Sequence, residues 1–335
     1  MDCTAVLNET RDSMSGQVTI SEATDIAEMV AIQPQWRLNY QQLSAGVYEG
    51  RIVHASPPGL HLTQETLSKA ARQQGSLFDD CVGLSLARSP VGVCRFHGQL
   101  ADANVVMAGL GQELDLTTPD DCELLAILMP RTNFMGMLRQ WHPRVAEKVS
   151  TGPVTLRVPP GQAGHLRGLM QGLLRVLADQ PPEGHLAVRQ VQDALVLAWQ
   201  DTLSSQSEEC SDAWMRQNRH ALVKQACQHV RDSLHHQHMQ LPTMLELCKA
   251  LGSSPRKLEY CFRDVLGMSP ARYLRLMRLN GAHQELVYRS DDKVTVQEVA
   301  MRWGFWHLGA FAGDYKRMFG RLPSQTLVGG IGRKN

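Results

Sequence analysis

Thr243-Met-Leu-Glu246-Leu-Cys-Lys-Ala-Leu-Gly252 and Thr295-Val-Gln-Glu298-Val-Ala-Met-Arg-Trp-Gly304 decide the fold of the C-terminal third of this chain. Both begin Thr-x-x-Glu, the capping box in which the Thr oxygen accepts a backbone N–H and the Glu reaches back to the cap. Both stop at a glycine, the residue that most readily closes a helix in the left-handed conformation. The stretches lie 52 residues apart, and the same offset pairs Leu247 with Val299, Cys248 with Ala300 and Leu251 with Trp303. Past the glycine the offset is 53, pairing Leu258 with Phe311, Phe262 with Tyr315, Leu266 with Phe319 and Pro270 with Pro323. One extra residue in the second turn accounts for the slip. Each unit reads as helix, tight turn, helix, over about 242–267 and 294–320.

In the first unit Ser254 is a good N-cap and Pro255 suits the first helical position. Leu258, Phe262, Val265 and Leu266 form one stripe, with Arg256, Glu259, Tyr260 and Arg263 opposite and Lys257 beside them. In a helix-turn-helix that outer face enters the major groove, where Arg pairs with guanine. The matching face of the second unit carries Trp306, His307, Leu308, Gly309, Ala312, Gly313 and Lys316. Its small residues permit close backbone approach but supply few donors, so the first unit is expected to carry most base readout. Between the units, Ser269-Pro270 opens a helix to about Val287. Its roughly 18 residues span about 27 Å, enough to hold two reading helices about one duplex turn apart. Arg272, Arg275 and Arg278 on it are candidates for phosphate contact. For each face the alternative is simple solvation.

Charge supports the division. The 335 residues carry a net +1, which argues against a polyanionic partner until it is split. Residues 1–220 hold 17 basic and 24 acidic residues, a net of −7; residues 221–335 hold 17 and 9, a net of +8. With 43% apolar and 20% charged residues, composition excludes collagen, low-complexity disorder and coiled-coil rods. The eight cysteines form no C-x-x-C pair, which argues against a zinc ribbon and for buried thiols in a reducing compartment. No signal-peptide core and no run of about 18 apolar residues appears, so a cytoplasmic protein without a membrane span is expected.

The first 35 residues read as a polar, loosely packed segment. Residues 36–203 read as an effector-binding and dimerisation domain. Its short apolar or alternating runs are Arg37–Tyr48, Arg51–Ala55, Val82–Arg88, Gly92–Phe96, Asn104–Ala108, Glu113–Leu116 and Glu123–Met129, the texture of a β-barrel or sandwich. Helical periodicity follows in Arg131–Trp141, Gly161–Leu177 and Leu186–Leu203. Residues 204–219 read as a linker and 220–325 as the basic domain, beginning with a helix over about His220–Leu234. The expected fold is α+β in two domains: a β-barrel-like domain with following helices, then an all-α domain with two helix-turn-helix units joined by a long helix.

The duplicated units with their connecting helix, placed after a β-rich domain, resemble the AraC/XylS transcription regulators. The resemblance rests on Val299-Ala-Met-Arg-Trp-Gly-Phe-Trp-His-Leu-Gly-Ala-Phe-Ala-Gly-Asp-Tyr315, followed by Phe319-Gly and Leu322-Pro-Ser, and covers about 100 residues. Trp303-Gly-Phe-Trp-His-Leu-Gly-x-Phe-Ala-x-Asp-Tyr315 and Leu116-Thr-Thr-Pro-Asp-Asp121 resemble one branch more specifically, the activators of ethanolamine-utilisation operons. That resemblance implies a dimeric, effector-dependent activator that binds promoter DNA and contacts RNA polymerase, with ethanolamine and adenosylcobalamin as effectors. Many family members carry Gln, Thr and Arg on the second reading helix, which this chain lacks there. The familiar cobalamin-binding pattern Asp-x-His-x-x-Gly is also absent.

Further candidates keep two readings each. Trp36, Tyr40 and Tyr48 line an effector pocket or fill the barrel core; Asp120, Asp121 and Glu123 hold a cationic amine or cap a turn. Trp303, Phe305 and Trp306 are a stacking platform for bases or, for Trp303 and Phe305, part of a small core, and His235-His236-x-His238 are solvated rather than metal-binding. No catalytic constellation appears, and no metal site is expected. An alkyl-transfer enzyme with a DNA-binding appendage would need a Pro-Cys-His setting, which no cysteine has. The remaining alternatives are an AraC-type regulator answering a different small molecule, and a small-molecule-binding or scaffold protein whose basic domain is incidental.

Overall fold

The computed structural model describes residues 18–33, 36–57, 59–76, 80–111, 113–179, 193–195, 197–199, 201–202, 213–235, 242–288 and 294–329. The N-terminal part contains twelve strands among the described residues: β1 (Thr19–Ala23), β2 (Arg37–Gln42), β3 (Gly50–Ala55), β4 (His61–Leu67), β5 (Ala71–Ser76), β6 (Cys81–Arg88), β7 (Cys94–Phe96), β8 (Gln99–Ala101), β9 (Val105–Leu110), β10 (Leu114–Thr118), β11 (Cys122–Pro130) and β12 (Val154–Arg157). They form a seven-stranded sheet in the order β1-β3-β4-β11-β6-β9-β12 and a five-stranded sheet in the order β2-β5-β10-β7-β8. Every pairing is antiparallel.

Strand β11 lies in the interior of the large sheet between β4 and β6, which explains its nearly unbroken apolar run. Leu125, Ile127 and Met129 join a core roofed by helices. These helices are α2 (Arg131–Trp141), α3 (Pro143–Thr151) and α4 (Pro160–Asp179), which follow α1 (Glu28–Ala31) in the chain. Helix α4 buries Leu166, Met170, Leu173, Leu174 and Leu177, the stripe its sequence announces.

The C-terminal part is helical: α5 (Ala213–His235), α6 (Met244–Ala250), α7 (Pro255–Leu266), α8 (Pro270–Val287), α9 (Val296–Arg302), α10 (Leu308–Phe319) and α11 (Pro323–Gly329). It shares its core with the strands. Ile26, Met29, Tyr40 and Ile52 belong to one apolar cluster with Leu286, Phe311, Tyr315 and Phe319, and Leu43 sits in the cluster of α5, α7 and α8.

Several boundaries differ from the sequence reading. The polar segment 1–35 is structured within its described residues: Thr19–Ala23 pairs with β3, and Ile26 and Met29 are buried. The linker 204–219 is cut short because α5 begins at Ala213; 203–212 lie outside the described residues. Strand β2 stops at Gln42, where the chain turns towards the helices instead of running on to Tyr48. Strands β4, β5, β8 and β12 were not expected. The first two hide because they bury Thr63, Glu65, Arg72 and Gln73, residues that read as surface. Most of Leu186–Leu203, and His236 and His238 of the histidine cluster, lie outside the described residues.

Candidate nucleic-acid interface and effector cavity

Both expected helix pairs form. Thr243 and Thr295 each complete a capping box, with Glu246 and Glu298 bonded back to the cap backbone. The turns pass through Gly252 at φ 57° and Gly304 at φ 74°, left-handed values that favour glycine. In α7 the Ser254 side chain accepts from Lys257 N–H, and Leu258, Cys261, Phe262, Val265 and Leu266 are buried. Arg256, Lys257, Tyr260 and Arg263 are exposed on the other side, as the spacing requires. Arg263 pairs with Glu259, and the Arg219 guanidinium lies 5.0 Å over the Tyr260 ring.

The second pair has a barer face. His307 occupies the N-cap of α10 without a side-chain cap bond. Trp306, His307, Leu308, Gly309, Gly313 and Lys316 are exposed, and Ala312 is half-buried. Trp306 is 65% exposed, too much for a core role. Phe305 is buried and Trp303 half-buried: Trp303 Nε1 donates to Glu285, and the Phe305 ring lies tilted against Phe311 with centroids 4.9 Å apart. The three arginines of α8 divide. Arg272 is exposed, Arg275 pairs with Asp314, and Arg278 covers Phe305 and donates to Gly304 O.

Two N-terminal segments, the loop at Gly46–Val47 and strand β7 with the turn after it, grip the C-terminal ends of α10 and α7. Arg95 Nε donates to Asp264 O in α7, and Gly98 packs against Val265. Gly46 N–H donates to Arg317 O and Met318 O of α10, with Val47 against Gly320.

Between the two sheets lies a cavity of about 60 Å³, walled mainly by apolar side chains such as Leu38, Phe96, Met107, Leu116, Leu124 and Leu128. Trp36, Thr63, Glu65, Gln73, Ser85 and Glu113 are its polar lining residues. Glu65 accepts from Tyr40 OH at 2.9 Å and Gln73 Nε2 at 2.9 Å. Burial raises its carboxyl to about 7, although these two bonds pull the other way. The Trp36 indole N–H and the Thr63 hydroxyl are buried without a hydrogen-bond partner.

The small sheet separates this cavity from the helical domain, and strand alternation gives it two working faces. Leu38, Gln73, Leu114 and Leu116 face the cavity. Their neighbours Gln41, Arg72 and Asp115 face the helices. Arg72 is fully buried and grips Asp115 through Nε at 2.8 Å and Nη2 at 2.7 Å. It also donates to Tyr273 OH of α8 at 2.5 Å, and Tyr273 donates onward to Gln41. Asp115 meets His220 Nε2 of α5 at 2.8 Å. Burial alone would raise the Asp115 carboxyl, but the Arg72 guanidinium outweighs it and holds it far below the usual carboxylate range. On α8, Asn280 pairs with both the N–H and the C=O of Gln42, closing part of an exposed strand edge.

The effector candidates therefore scatter. Trp36 lines the cavity, Tyr40 reaches it only through Glu65, and Tyr48 lies in the mixed core beside Met29. Asp120 accepts from Ala70 N–H and Ser44 Oγ, the turn-capping alternative. Asp121 sits beside it at φ 50°, and neither lines the cavity. Glu65, Thr63 and Gln73 were missed. The one available signal was the pair of β-branched threonines, Thr63 and Thr66, between Leu62 and Leu67.

Residues 247–328 match the helix-turn-helix domain family. A probable thc operon regulatory protein of Rhodococcus erythropolis is 40% identical over 91 residues, 27% of this chain and 27% of the relative. The match thus spans about a quarter of that regulator. The XylDLEGF operon transcriptional activator 1 of Pseudomonas putida is 25% identical over 289 residues, 83% of this chain and 84% of the relative. The crystal structure of a probable AraC family transcriptional regulator from Rhodopseudomonas palustris is 34% identical and covers 32% of this chain and 95% of its own, with a TM-score of 0.28. ToxT from Vibrio cholerae is 9% identical, covering 94% of this chain and 99% of its own, with a TM-score of 0.31.

Proposed function

We infer that this chain is a transcription regulator of the AraC/XylS type, a reading supported by the helix-turn-helix match over residues 247–328 and by the 25% identity to the XylDLEGF activator over 83% of the chain. It acts as an effector-dependent, sequence-specific DNA-binding activator. The observation that carries this reading is the small sheet, with a cavity on one face and the Arg72–Asp115–Tyr273 contacts to the helical domain on the other. An effector that moves Gln73, Leu114 or Leu116 acts on the same strands that hold α8. It shifts the population of helix-pair arrangements only through different affinities for them.

DNA contact is assigned to Ser254, Arg256, Lys257, Glu259, Tyr260 and Arg263 of the first unit, with Trp306, His307, Leu308, Gly309, Ala312, Gly313 and Lys316 of the second. Arg272 is the phosphate contact of α8, and Arg275 is a weaker one because Asp314 already neutralises it. Homodimerisation and contact with RNA polymerase belong to the same proposal.

Ethanolamine with adenosylcobalamin is the effector pair that the sequence resemblance implies, whereas the relatives named above regulate xyl and thc operons. A corrinoid does not fit an internal cavity of about 60 Å³, so no step is assigned to it. A salt-titrated gel shift with DNA from upstream of the gene tests the central claim. Affinity equal to that for random DNA at every salt concentration refutes sequence-specific regulation.

A further inference from the structure

We propose that the cavity between the sheets takes a small organic amine, its apolar body against the leucine, phenylalanine and methionine walls and its ammonium group on Glu65. This rests on reading the cavity as the effector site and adds the chemical class of the effector.

Three observations carry it. First, Glu65 is a 3% exposed carboxyl on the cavity wall with no cationic partner among the described residues. Its two bonds come from neutral groups, Tyr40 and Gln73, which leaves lone pairs on both oxygens. A buried carboxylate without a counter-charge is costly, and a ligand cation removes that cost. Second, the Thr63 hydroxyl and the Trp36 indole N–H line the same cavity, are buried and make no hydrogen bond. Native interiors seldom leave such groups unmatched. The hydroxyl can accept a second ammonium hydrogen, and the indole can donate to a further polar atom of the ligand. Third, the remaining walls are almost wholly apolar, so a purely polar amine leaves them uncovered. A carboxylate ligand is disfavoured because Glu65 would face it.

The groups facing Glu65 from the packed elements are Tyr40 on β2, Tyr48 before β3, Gln73 on β5 and Cys122 on β11. Glu113, just before β10, also lines the cavity but pairs with Lys224. Burial pushes the Tyr40 and Tyr48 hydroxyls up, and the hydrogen bond with Cys94 together with burial pushes the Cys122 thiol up, so these three stay protonated near neutrality. With burial holding the Glu65 carboxyl near 7, an ammonium ligand must expel its proton at lower pH. Affinity for such a ligand then rises about tenfold per pH unit below 7 and levels off above it.

The test is calorimetry on the full chain between pH 5.5 and 8, with probes of at most five heavy atoms to suit a cavity of about 60 Å³: n-propylamine, n-propanol, propionate and ethanolamine. Buffers of different ionisation enthalpy report the proton released. Expected is n-propylamine binding that strengthens with pH, releases a proton at pH 6 and exceeds ethanolamine and propionate at every pH. Glu65→Gln should lose at least tenfold for n-propylamine while leaving n-propanol unchanged. Thr63→Val, a near-isosteric change, should weaken n-propylamine severalfold, which keeps the claim testable should Glu65→Gln fold poorly. Propionate binding at least as tightly as n-propylamine, or a pH-independent n-propylamine affinity, overturns the amine assignment and leaves the effector cavity standing. Ethanolamine binding at least as tightly as n-propylamine overturns the apolar-body half of the proposal. No binding by any probe, at any pH, overturns the cavity as a ligand site and the effector reading with it.

Discussion

Removing Asp115 should unfasten the sheet from the helices. Its carboxylate accepts two bonds from fully buried Arg72, at 2.8 and 2.7 Å, and meets His220 at 2.8 Å. Asp115→Ala strands the Arg72 guanidinium with Tyr273 as its strongest remaining partner. Breaking one side of a buried ion pair typically costs about 3–5 kcal/mol. Arg72→Met leaves Asp115 its bonds to His220 and Gln74, so its cost should fall at the lower end of that range. The double variant Arg72→Met/Asp115→Ala removes both charges together. Its cost should be smaller than that of Asp115→Ala and well below the sum of the two single losses. Urea unfolding of the wild type and three variants, with slopes compared, gives the double-mutant cycle. Single losses below about 1 kcal/mol, or a double loss equal to the sum, would refute the claim that this pair is a coupled, desolvated unit. The same variants should bind operator DNA with less response to effector, since Arg72 also anchors Tyr273.

Glu65 gives a pH prediction of defined sign. Its carboxyl moves from 4.5 to about 7 on folding, so the folded state holds the proton more tightly. The stability linked to it is complete below about pH 4.5 and is lost as pH rises through 7, on the order of 3 kcal/mol; Glu65→Gln should flatten that part of a pH series of unfolding curves. Gly281→Ala places a methyl group in the Trp303 ring, which is tied to Glu285 by its indole N–H. Overpacking should exceed the helix-propensity gain, for a net loss of about 1–2 kcal/mol by thermal unfolding. In anisotropy titrations Arg256→Ala should cost about 1–3 kcal/mol and relax base preference. Arg272→Ala should lower the salt slope by about one whatever the sequence, and Arg275→Ala by less, because Asp314 pairs with it.

The helical third was legible because its signals are local. A capping box, a turn glycine and a stripe at helical spacing need no distant partner to be recognised, and Thr243, Gly252, Leu258 and their repeats lie where their spacing put them. The long helix from Pro270 to Val287 agrees for the same reason. The strands that build the cavity are another matter. Glu65, Arg72 and Gln73 are polar residues buried through partners as far apart in sequence as Tyr273. Nothing near them in the chain announces those partners, so β4 and β5 looked like surface. Tyr40 and Tyr48 were grouped with Trp36 by residue type, yet strand register and loop direction sent them to different surroundings. Asp120 and Asp121 drew attention as a charge cluster, and local backbone bonding accounts for Asp120.

The grip of two segments on the far ends of the reading helices makes the chain a gauge. Gly46 and Val47 seat one helix, Arg95 of β7 and Gly98 in the turn after it seat the other, and both segments belong to the same β-rich body. The distance between the two reading heads is therefore toleranced twice, by the strut of α8 and by the jig that holds both ends. A helical third cut free of that jig would keep its grip on each half-site and measure the gap between them less strictly. On the DNA-binding function proposed above, length along the duplex would be read as well as base identity.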